Sequence, residues 1–587
     1  MTSLAPRAPR FVHLLPAVLL PLLAACMAPG GVRPAAAAAA VTLGPVTVGI
    51  VAINDFHGSI EPPRQSVIAP DGQGGTVQVP AGGAAWLASA IDGIRAQYPH
   101  HLTVSAGDLI SASQLASSLY LDEPTIGVAN RIGLEFNAVG NHEFDRGRGE
   151  LLRMQRGGCA QLTKRKPCQV EQFGGARFQF LAASTMTETG QTLFPAYAIR
   201  TFGTGKAKVR IGIIGVTLQG TSELVSPDGI KGLRFAGEAA TINALVPLLK
   251  AKGADAIVVL IHQGGSQDIP NNPNACSGFT GEIRPILDAL DPRVDLVISG
   301  HTHKAYVCNY GELNPAHPLL LTSAGVYAQA VTDITLEIDP VLHKVTAKRA
   351  RNVIVQSVPY TGARGLIGNT PLYPQFAPRA DVAGYVQTYV DAAKEFAQRP
   401  AGHLAGPASG RALAALIADS QLAATSSAGA QIAFMNPFGV RAALLPASDG
   451  SVKFGDIYAV EPFGNTLITQ SLTGAELKAV LEQGFDANGP EQALIPSAGF
   501  AYSFDRTRPV GDRITGLTLA GQPIDPAAPY RVTTNSFLAQ GGDSFSRFAP
   551  QRNAVIGPID LDALQAWLEA VAMRAVPQDE RVTERQR

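Results

Sequence analysis

The sequence predicts an α/β protein of two domains, and three observations point to it. Short apolar runs rich in β-branched residues recur between residues 46 and 299, each ending on a polar motif. Runs of that length bounded by turn residues read as buried strands. Residues 403 to 573 continue the mixture of strand-like and helix-like patterns, but without a second cluster of histidines. A chain of 587 residues is also too long for one hydrophobic core, because cores stop growing at about 250–300 residues.

The runs of the first domain are followed by chemistry. Val46 to Ile53 leads to Asp55-Phe-His57, and Leu102 to Ala106 to Gly107-Asp108. Phe136 to Val139 leads to Gly140-Asn141-His142-Glu143, Ala256 to Ile261 to His262, and Val294 to Ser299 to Gly300-His301-Thr-His303. In open α/β sheets the ligand-binding groups lie just beyond the carboxyl ends of strands, so five such motifs converge on one crevice. Taken singly, Asp-x-His or Gly-Asp after a strand is ordinary turn chemistry. Together they hold five of the chain's eleven histidines. Asp108 can bridge two cations, while Asp55, His57, Asn141, His262, His301 and His303 offer oxygen and imidazole ligands. Two cations about 3.5–4 Å apart generate hydroxide at neutral pH and neutralise a departing phosphoryl oxygen, so the implied chemistry is phosphoester hydrolysis. The donor set suits two divalent metal ions, zinc, manganese or cobalt, without choosing among them.

The order of these motifs resembles the calcineurin-like metallophosphoesterases, and Asn141-His142-Glu143-Phe144-Asp145 resembles the signature of the 5′-nucleotidase family. The resemblance covers most of the mature chain. It implies a four-layer metallophosphoesterase β-sandwich flanked by helices, joined by a helix to a C-terminal α/β substrate-binding domain. It also implies that Asp55, His57, Asp108 and His303 hold one metal, and Asp108, Asn141, His262 and His301 the other, with hydroxide between them. Some relatives carry Gln at the position of His303, and both types ligate. His142 is then not a ligand but a catalytic group paired with Asp145. An imidazolium aimed at developing negative charge and oriented by a carboxylate gives electrostatic stabilisation.

Three loops of the second domain resemble the family's substrate-binding segments: Asn436-Pro-Phe-Gly-Val-Arg441, Glu461-Pro-Phe463-Gly-Asn465, and the loop from Asn535 through Phe537 to Asp543. By position, Phe463 and Phe537 sandwich a nucleobase, Asp543 binds ribose hydroxyls, and Asn436 and Arg441 contact base or phosphate. Aromatic faces stack on any base at about 1–3 kcal/mol each, and a guanidinium matches phosphate oxygens bidentately. Taken alone, either phenylalanine reads as core packing and Gly541-Gly542-Asp543 as a turn. Two departures stand out. Pro437 and Phe438 stiffen and crowd the first loop. Ser409-Gly410-Arg411 is shifted from the family's phosphate-gripping arginine, which leaves Arg411 a displaced candidate. The expected activity is release of phosphate from nucleoside 5′-monophosphates for salvage. The alternatives are a phosphodiesterase of 2′,3′-cyclic nucleotides, a pyrophosphatase of UDP-sugars or dinucleotides, and a non-catalytic surface-binding protein. An intact set of seven ligands argues against the last.

Lys plus Arg equals Asp plus Glu at 47 each, so nothing in the net charge calls for a nucleic acid polymer and a small phosphorylated substrate fits better; the resemblance implies that it is a small-molecule nucleotide. Arg7 and Arg10 precede an apolar stretch, Phe11 to Ala25, that is short for a spanning helix and reads as an export signal. Leu23-Ala24-Ala25-Cys26 resembles the bacterial lipobox, which makes Cys26 the expected lipidation site and a lipid anchor the expected membrane contact. The run Ala35 to Ala40 offers a rival cleavage site. Residues 27–44 then serve as a tether, with the protein in the periplasm or at the cell surface. Cys159, Cys168, Cys276 and Cys308 remain, an even number in an exported chain. Sequence proximity favours Cys159 with Cys168 and Cys276 with Cys308 among the three connectivities. The expected domains are 45–350 and 403–573, with a linker from 351 to 402 that holds a helix at about 381–398, and a polar tail from 574. Leu319 to Ile338 reads as closing strands, and Asp339 to Pro378 as a polar loop.

Overall fold

Each of the five apolar runs forms a strand, because a segment with side chains buried on both faces is stable only between two covering layers. In the computed structural model the twelve strands of the two large N-terminal sheets are β1 Val46–Ile53, β2 His101–Ser105, β3 Phe136–Ala138, β4 Gln179–Leu181, β5 Tyr197–Phe202, β6 Val209–Val216, β7 Ala256–Ile261, β8 Leu296–Ser299, β9 Ala305–Asn309, β10 Leu320–Ala324, β11 Ala330–Asp339 and β12 Lys344–Ile354. They make two six-stranded sheets, ordered β12-β11-β1-β2-β3-β4 and β9-β10-β8-β7-β6-β5. Within the first, β1 to β4 run parallel; within the second, β6, β7, β8 and β10 do. The structure describes residues 43–585 except 164, 226–228, 270, 363–364, 487–490 and 579. The expected leader, Cys26 and nearly all of the tether lie outside the described residues.

The sheets pack face to face through Ile50, Val104, Ile211, Val258, Ile298 and Ile334. Their outer faces are covered by helices. On the first sheet lie α1 Ala84–Arg95, α2 Glu123–Arg131 and α3 Gly147–Arg156; on the second lie α4 Glu238–Ala251 and α5 Ile283–Asp288. This is the four-layer arrangement expected for the N-terminal domain.

The stretch from Asp339 to Pro378 is not the simple loop its polarity suggests. β12 spans eleven of its residues and pairs antiparallel with β11, from Asp339 opposite Lys344 to Ala330 opposite Ile354, with one register shift at Glu337 and Ile338. Lys344, Lys348, Arg349 and Arg351 on this edge strand mask the alternation, and charges on an edge discourage pairing with another chain. A domain boundary near residue 350 would fall inside this strand.

Helix α6, Ala380–Ala397, buries Val382, Val386, Tyr389 and Ala393 against the first domain's core. The C-terminal part has a mixed five-stranded sheet. Its strands are β13 Ile432–Met435, β14 Thr466–Thr473, β15 Ile495–Pro496, β16 Pro529–Asn535 and β17 Val555–Ile559, ordered β15-β13-β16-β14-β17. α7 Gly410–Ala424, α8 Phe454–Val460, α9 Gly474–Gln483 and α10 Asp560–Glu569 pack on it through Leu416, Ile457, Leu477 and Leu564. Leu115, from the first half, enters the same core, and residues 43–587 cluster as one unit. Both expected disulfides, Cys159–Cys168 and Cys276–Cys308, are formed. Among the described residues no helix is long and apolar enough to cross a membrane.

Candidate active site

The five motifs meet at the carboxyl ends of β1, β2, β3, β7 and β8, as parallel strands feeding one crevice require. The backbone there is strained. Asp55, His57, Asp108, His301 and His303 all adopt left-handed φ, between 47° and 72°, a region that non-glycine residues enter at a cost and that clusters at functional sites. Gly140 explains the Gly-Asn-His spacing: a Cβ there would collide with Asp108 Oδ1 and the Asp108 amide.

Side-chain nitrogens and oxygens converge in two overlapping groups. His303 Nε2 lies 3.2 Å from His57 Nε2 and 3.5 Å from Asp55 Oδ1. His262 Nε2 lies 3.0 Å from Asp108 Oδ2 and 3.1 Å from Asn141 Oδ1, which is also 3.1 Å from His301 Nδ1. Asp108 Oδ2, 3.7 Å from His57 Nε2, stands between the groups. Two of the imidazoles are set by the far nitrogen: His57 Nδ1 donates to the Ser111 carbonyl and His262 Nδ1 to that of Ala106, both at 2.9 Å. Such outer hydrogen bonds fix tautomer and ring orientation in metal sites.

The electrostatics fit cations. Burial holds His57, His301 and His303 well below the ordinary imidazole value, His301 down to about 3 with His262 adding to the effect. They therefore present neutral lone pairs. Burial also pushes Asp55 up to about 7 and, reinforced by the Asp108 carboxylate, Glu143 up to about 7. At His262 burial is outweighed by the Asp108 carboxylate, which raises the imidazole to about 10. Three neutral imidazoles and buried carboxylates form a donor set for divalent cations, whose binding would displace the proton that His262 otherwise holds. Asp55 with His57 and His303, and Asp108 with His262 and His301, each place ligand atoms close enough to hold an ion. His57, Asp108 and His142 form a third such group, but His142 Nδ1 is 2.8 Å from Asp145 Oδ2. The Asp145 and Asp108 carboxylates overcome burial and raise the His142 imidazole above its usual value.

Across the crevice stand the loops of the C-terminal half. A cavity of about 1250 Å³ is lined by Asp108, Asn141, His142, His301 and His303 on one side and by Asn436, Arg441, Phe463, Phe537 and Asp543 on the other. The Phe463 ring lies 6.0 Å from the His142 ring at 20° to it. The Arg441 guanidinium sits 5.8 Å from the Phe463 centroid, with Nη2 buried and without a partner. Asn436 also bonds its neighbours there: its Nδ2 donates to Asp543 Oδ2 at 2.7 Å and its Oδ1 accepts from Asn535 at 3.0 Å. It orients Asp543, which burial raises to about 6. Phe438 lines the cavity and is half exposed.

Arg411 is not in the site. It lies at the start of α7 and its guanidinium donates to the Val582 carbonyl, away from the cavity. The second arginine lining the cavity is Arg146, which sequence reasoning missed although it directly follows Asp145. It pairs with buried Asp122 and donates to Ser118 Oγ at 3.0 Å. Tyr327 was also missed, with its ring 5.8 Å from that of His57; it lies in no motif and only the fold brings it there.

Residues 49–305 match the family model of the calcineurin-like phosphoesterases, and residues 391–550 that of the 5′-nucleotidase C-terminal domain. The chain is 30% identical over 538 residues to Endonuclease YhcR of Bacillus subtilis, a match covering 89% of this chain and 40% of that protein. It is 27% identical over 534 residues to cell wall protein Lmo0130 of Listeria monocytogenes, covering 86% and 64%. The chain thus spans less than two thirds of the length of both. Among solved structures, a 5′-nucleotidase precursor from Thermus thermophilus superposes with TM-score 0.71 at 24% identity, over 92% of this chain and 99% of that one, and so shares the fold. The two matched models, in this order and over these sheets and motifs, show that the chain carries a calcineurin-like phosphoesterase domain followed by a 5′-nucleotidase C-terminal domain.

Proposed function

We propose that the protein is an exported 5′-nucleotidase that releases phosphate from nucleoside 5′-monophosphates for nucleotide salvage. The supporting observation is the shared cavity, with the metal-ligand set on one wall and two phenylalanines, an arginine and an aspartate on the other. In this reading Asp55, His57, Asp108 and His303 hold one cation and Asp108, Asn141, His262 and His301 the other. Bound there, two divalent ions supply an activated water and neutralise charge on the phosphoryl group. His142, its Nδ1 fixed by Asp145, turns Nε2 toward the charge that develops on the phosphoryl oxygens. Arg441 grips phosphate, Phe463 and Phe537 sandwich the base, and Asp543, held by Asn436, accepts ribose hydroxyls. Export and lipid anchoring at Cys26 belong to the same reading; the leader and a relative named a cell wall protein support them.

The cavity volume favours one further reading. About 1250 Å³ exceeds the roughly 300–1,000 Å³ usual for a drug-sized ligand, leaving room for the second half of a UDP-sugar or dinucleotide. The test is a product assay on protein lacking residues 1–26 and reconstituted with zinc, manganese or cobalt. Chelator-sensitive orthophosphate from 5′-monophosphates is the expected result. Release of nucleotides from UDP-glucose, dinucleotides or cyclic nucleotides alone would replace the reading with the diesterase or pyrophosphatase, and cleavage of DNA or RNA alone would replace it with a nuclease.

A further inference from the structure

Glu461 stands two residues before Phe463 and is 1% exposed. It lines the cavity with Phe463, Asn465, Phe537 and Asp543, yet neither of its carboxyl oxygens has a hydrogen-bond partner. Its neighbour Asp560, the first residue of α10, is equally buried at 2%. Asp560 is provided for: its Oδ1 accepts the Leu561 amide at 2.8 Å, and the Asn465 side chain also bonds it. Of the two carboxyls, Asp560 is therefore the one supplied with donors for an ionised form, and Glu461, with no donor aimed at it, is the one that keeps its proton. Burial, and then the repulsion of Asp560, push Glu461 well above the usual carboxyl range. A neutral carboxyl presents an O–H donor and a C=O acceptor side by side. Leaving both unmatched in a buried wall is unfavourable, and a ligand that supplies their complements removes the penalty.

We propose that Glu461 reads the hydrogen-bonding edge of the nucleobase, donating to a ring nitrogen and accepting from the adjacent exocyclic amino group, so that 6-aminopurine is preferred to unsubstituted purine. The proposal rests on the nucleotide reading above. Stacking on Phe463 and Phe537 engages the face of a base and discriminates little between bases. A base stacked on Phe463 would present its edge to the same cavity lining, which Glu461 and Asn465, two residues to either side of Phe463 in sequence, share with it. A site built to hydrogen-bond a polar group rejects the analogue that lacks it, because its own buried groups are then unpaired.

The test compares kcat/KM for 5′-AMP and purine riboside 5′-monophosphate, and the calorimetric affinities of adenosine and purine riboside. The wild type should prefer the amino-bearing partner by at least about tenfold. Glu461→Leu should bring that ratio toward one, whereas Glu461→Gln, whose amide also sets a donor beside an acceptor, should keep it. A ratio that survives in Glu461→Leu, or that collapses equally in Glu461→Gln, overturns the proposal; a purely structural role would lower Tm without moving the ratio. Should Glu461→Leu not fold, equal wild-type affinity for adenosine and purine riboside overturns it. Turnover of nucleotides with the ratio unmoved by substitution defeats only the edge contact. Absence of turnover of every nucleotide defeats the 5′-nucleotidase reading, and the nucleoside affinities then decide the edge contact alone.

Discussion

Asp108 and Gly140 show how little freedom the centre allows. Asp108 holds left-handed φ at 49° and places one carboxylate oxygen against the His142 amide at 2.9 Å and the other toward His262 and His57. Gly140 makes room for it. Gly140→Ala is therefore expected to displace Asp108 and lower metal affinity by about 10- to 100-fold, read as metal per protein after dialysis; unchanged metal content would refute the steric argument. A second expectation concerns the Glu461–Asp560 pair, with Asp560 raised to about 7 by burial and Glu461 raised well above the usual carboxyl range by burial and then by the Asp560 carboxylate. Raised carboxyl values mean that the folded state binds protons more tightly than the unfolded one. Stability is then greatest below the ordinary carboxylate range and falls as pH rises toward and through about 7. Glu461→Gln removes the carboxyl that must take up a proton on folding, so its Tm should exceed the wild type's by more at about pH 8 than at about pH 5. A pH-independent difference would mean that Glu461 does not hold its proton in the folded protein. The residue types of the centre were legible because five motifs repeat one strand-then-ligand pattern. Glu461, Asp560 and Arg146 were not, because a carboxyl before Pro462 or an arginine after Asp145 looks like any loop charge until burial is known.

The strands that carry the ligands were the most readable elements. β1 and β7 coincide with their apolar runs, β2 is shifted by one residue at both ends, and β3 and β8 are shorter by one and two residues at one end. Each is buried almost throughout, so its signal is composition itself. β12 escaped because an edge strand needs no apolar face on its solvent side. The segment carrying His301 and His303 is restrained in another way. The Cys276–Cys308 bridge closes 32 residues around α5, β8 and both histidines. By loop entropy alone it contributes about 3–4 kcal/mol. Replacing both cysteines by serine should lower Tm measurably and weaken metal retention, whereas the same change at Cys159 and Cys168, spanning nine residues, should cost less. Equal losses from the two would show that loop length does not govern them.

At the scale of the molecule the two halves share one crevice and touch beside it. Tyr458, in α8, bonds Ser118 of the N-terminal half and donates to the Pro462 carbonyl at 3.1 Å, next to Phe463. Arg146 also bonds Ser118, pairs with Asp122, and Asp122 accepts the Ser111 amide, whose carbonyl orients His57. A hydrogen-bonded chain therefore runs from the proposed base clamp to a candidate metal ligand. Because substrate and metal groups lie on different halves, closure should accompany turnover. A disulfide engineered across the crevice should suppress nucleotide hydrolysis by at least about tenfold and release it on reduction; full activity in the oxidised form would exclude the motion. The sequence by itself determined the class of fold, the strands that carry the five motifs and the candidate ligand residues that converge there, since these depend on local composition and on short motifs at strand ends. Only the tertiary structure decided that Arg411 lies outside the site, that Asn436 serves Asp543, and that Glu461 faces the cavity without a partner. Those facts depend on burial and on contacts between residues far apart in the chain, which no local pattern encodes.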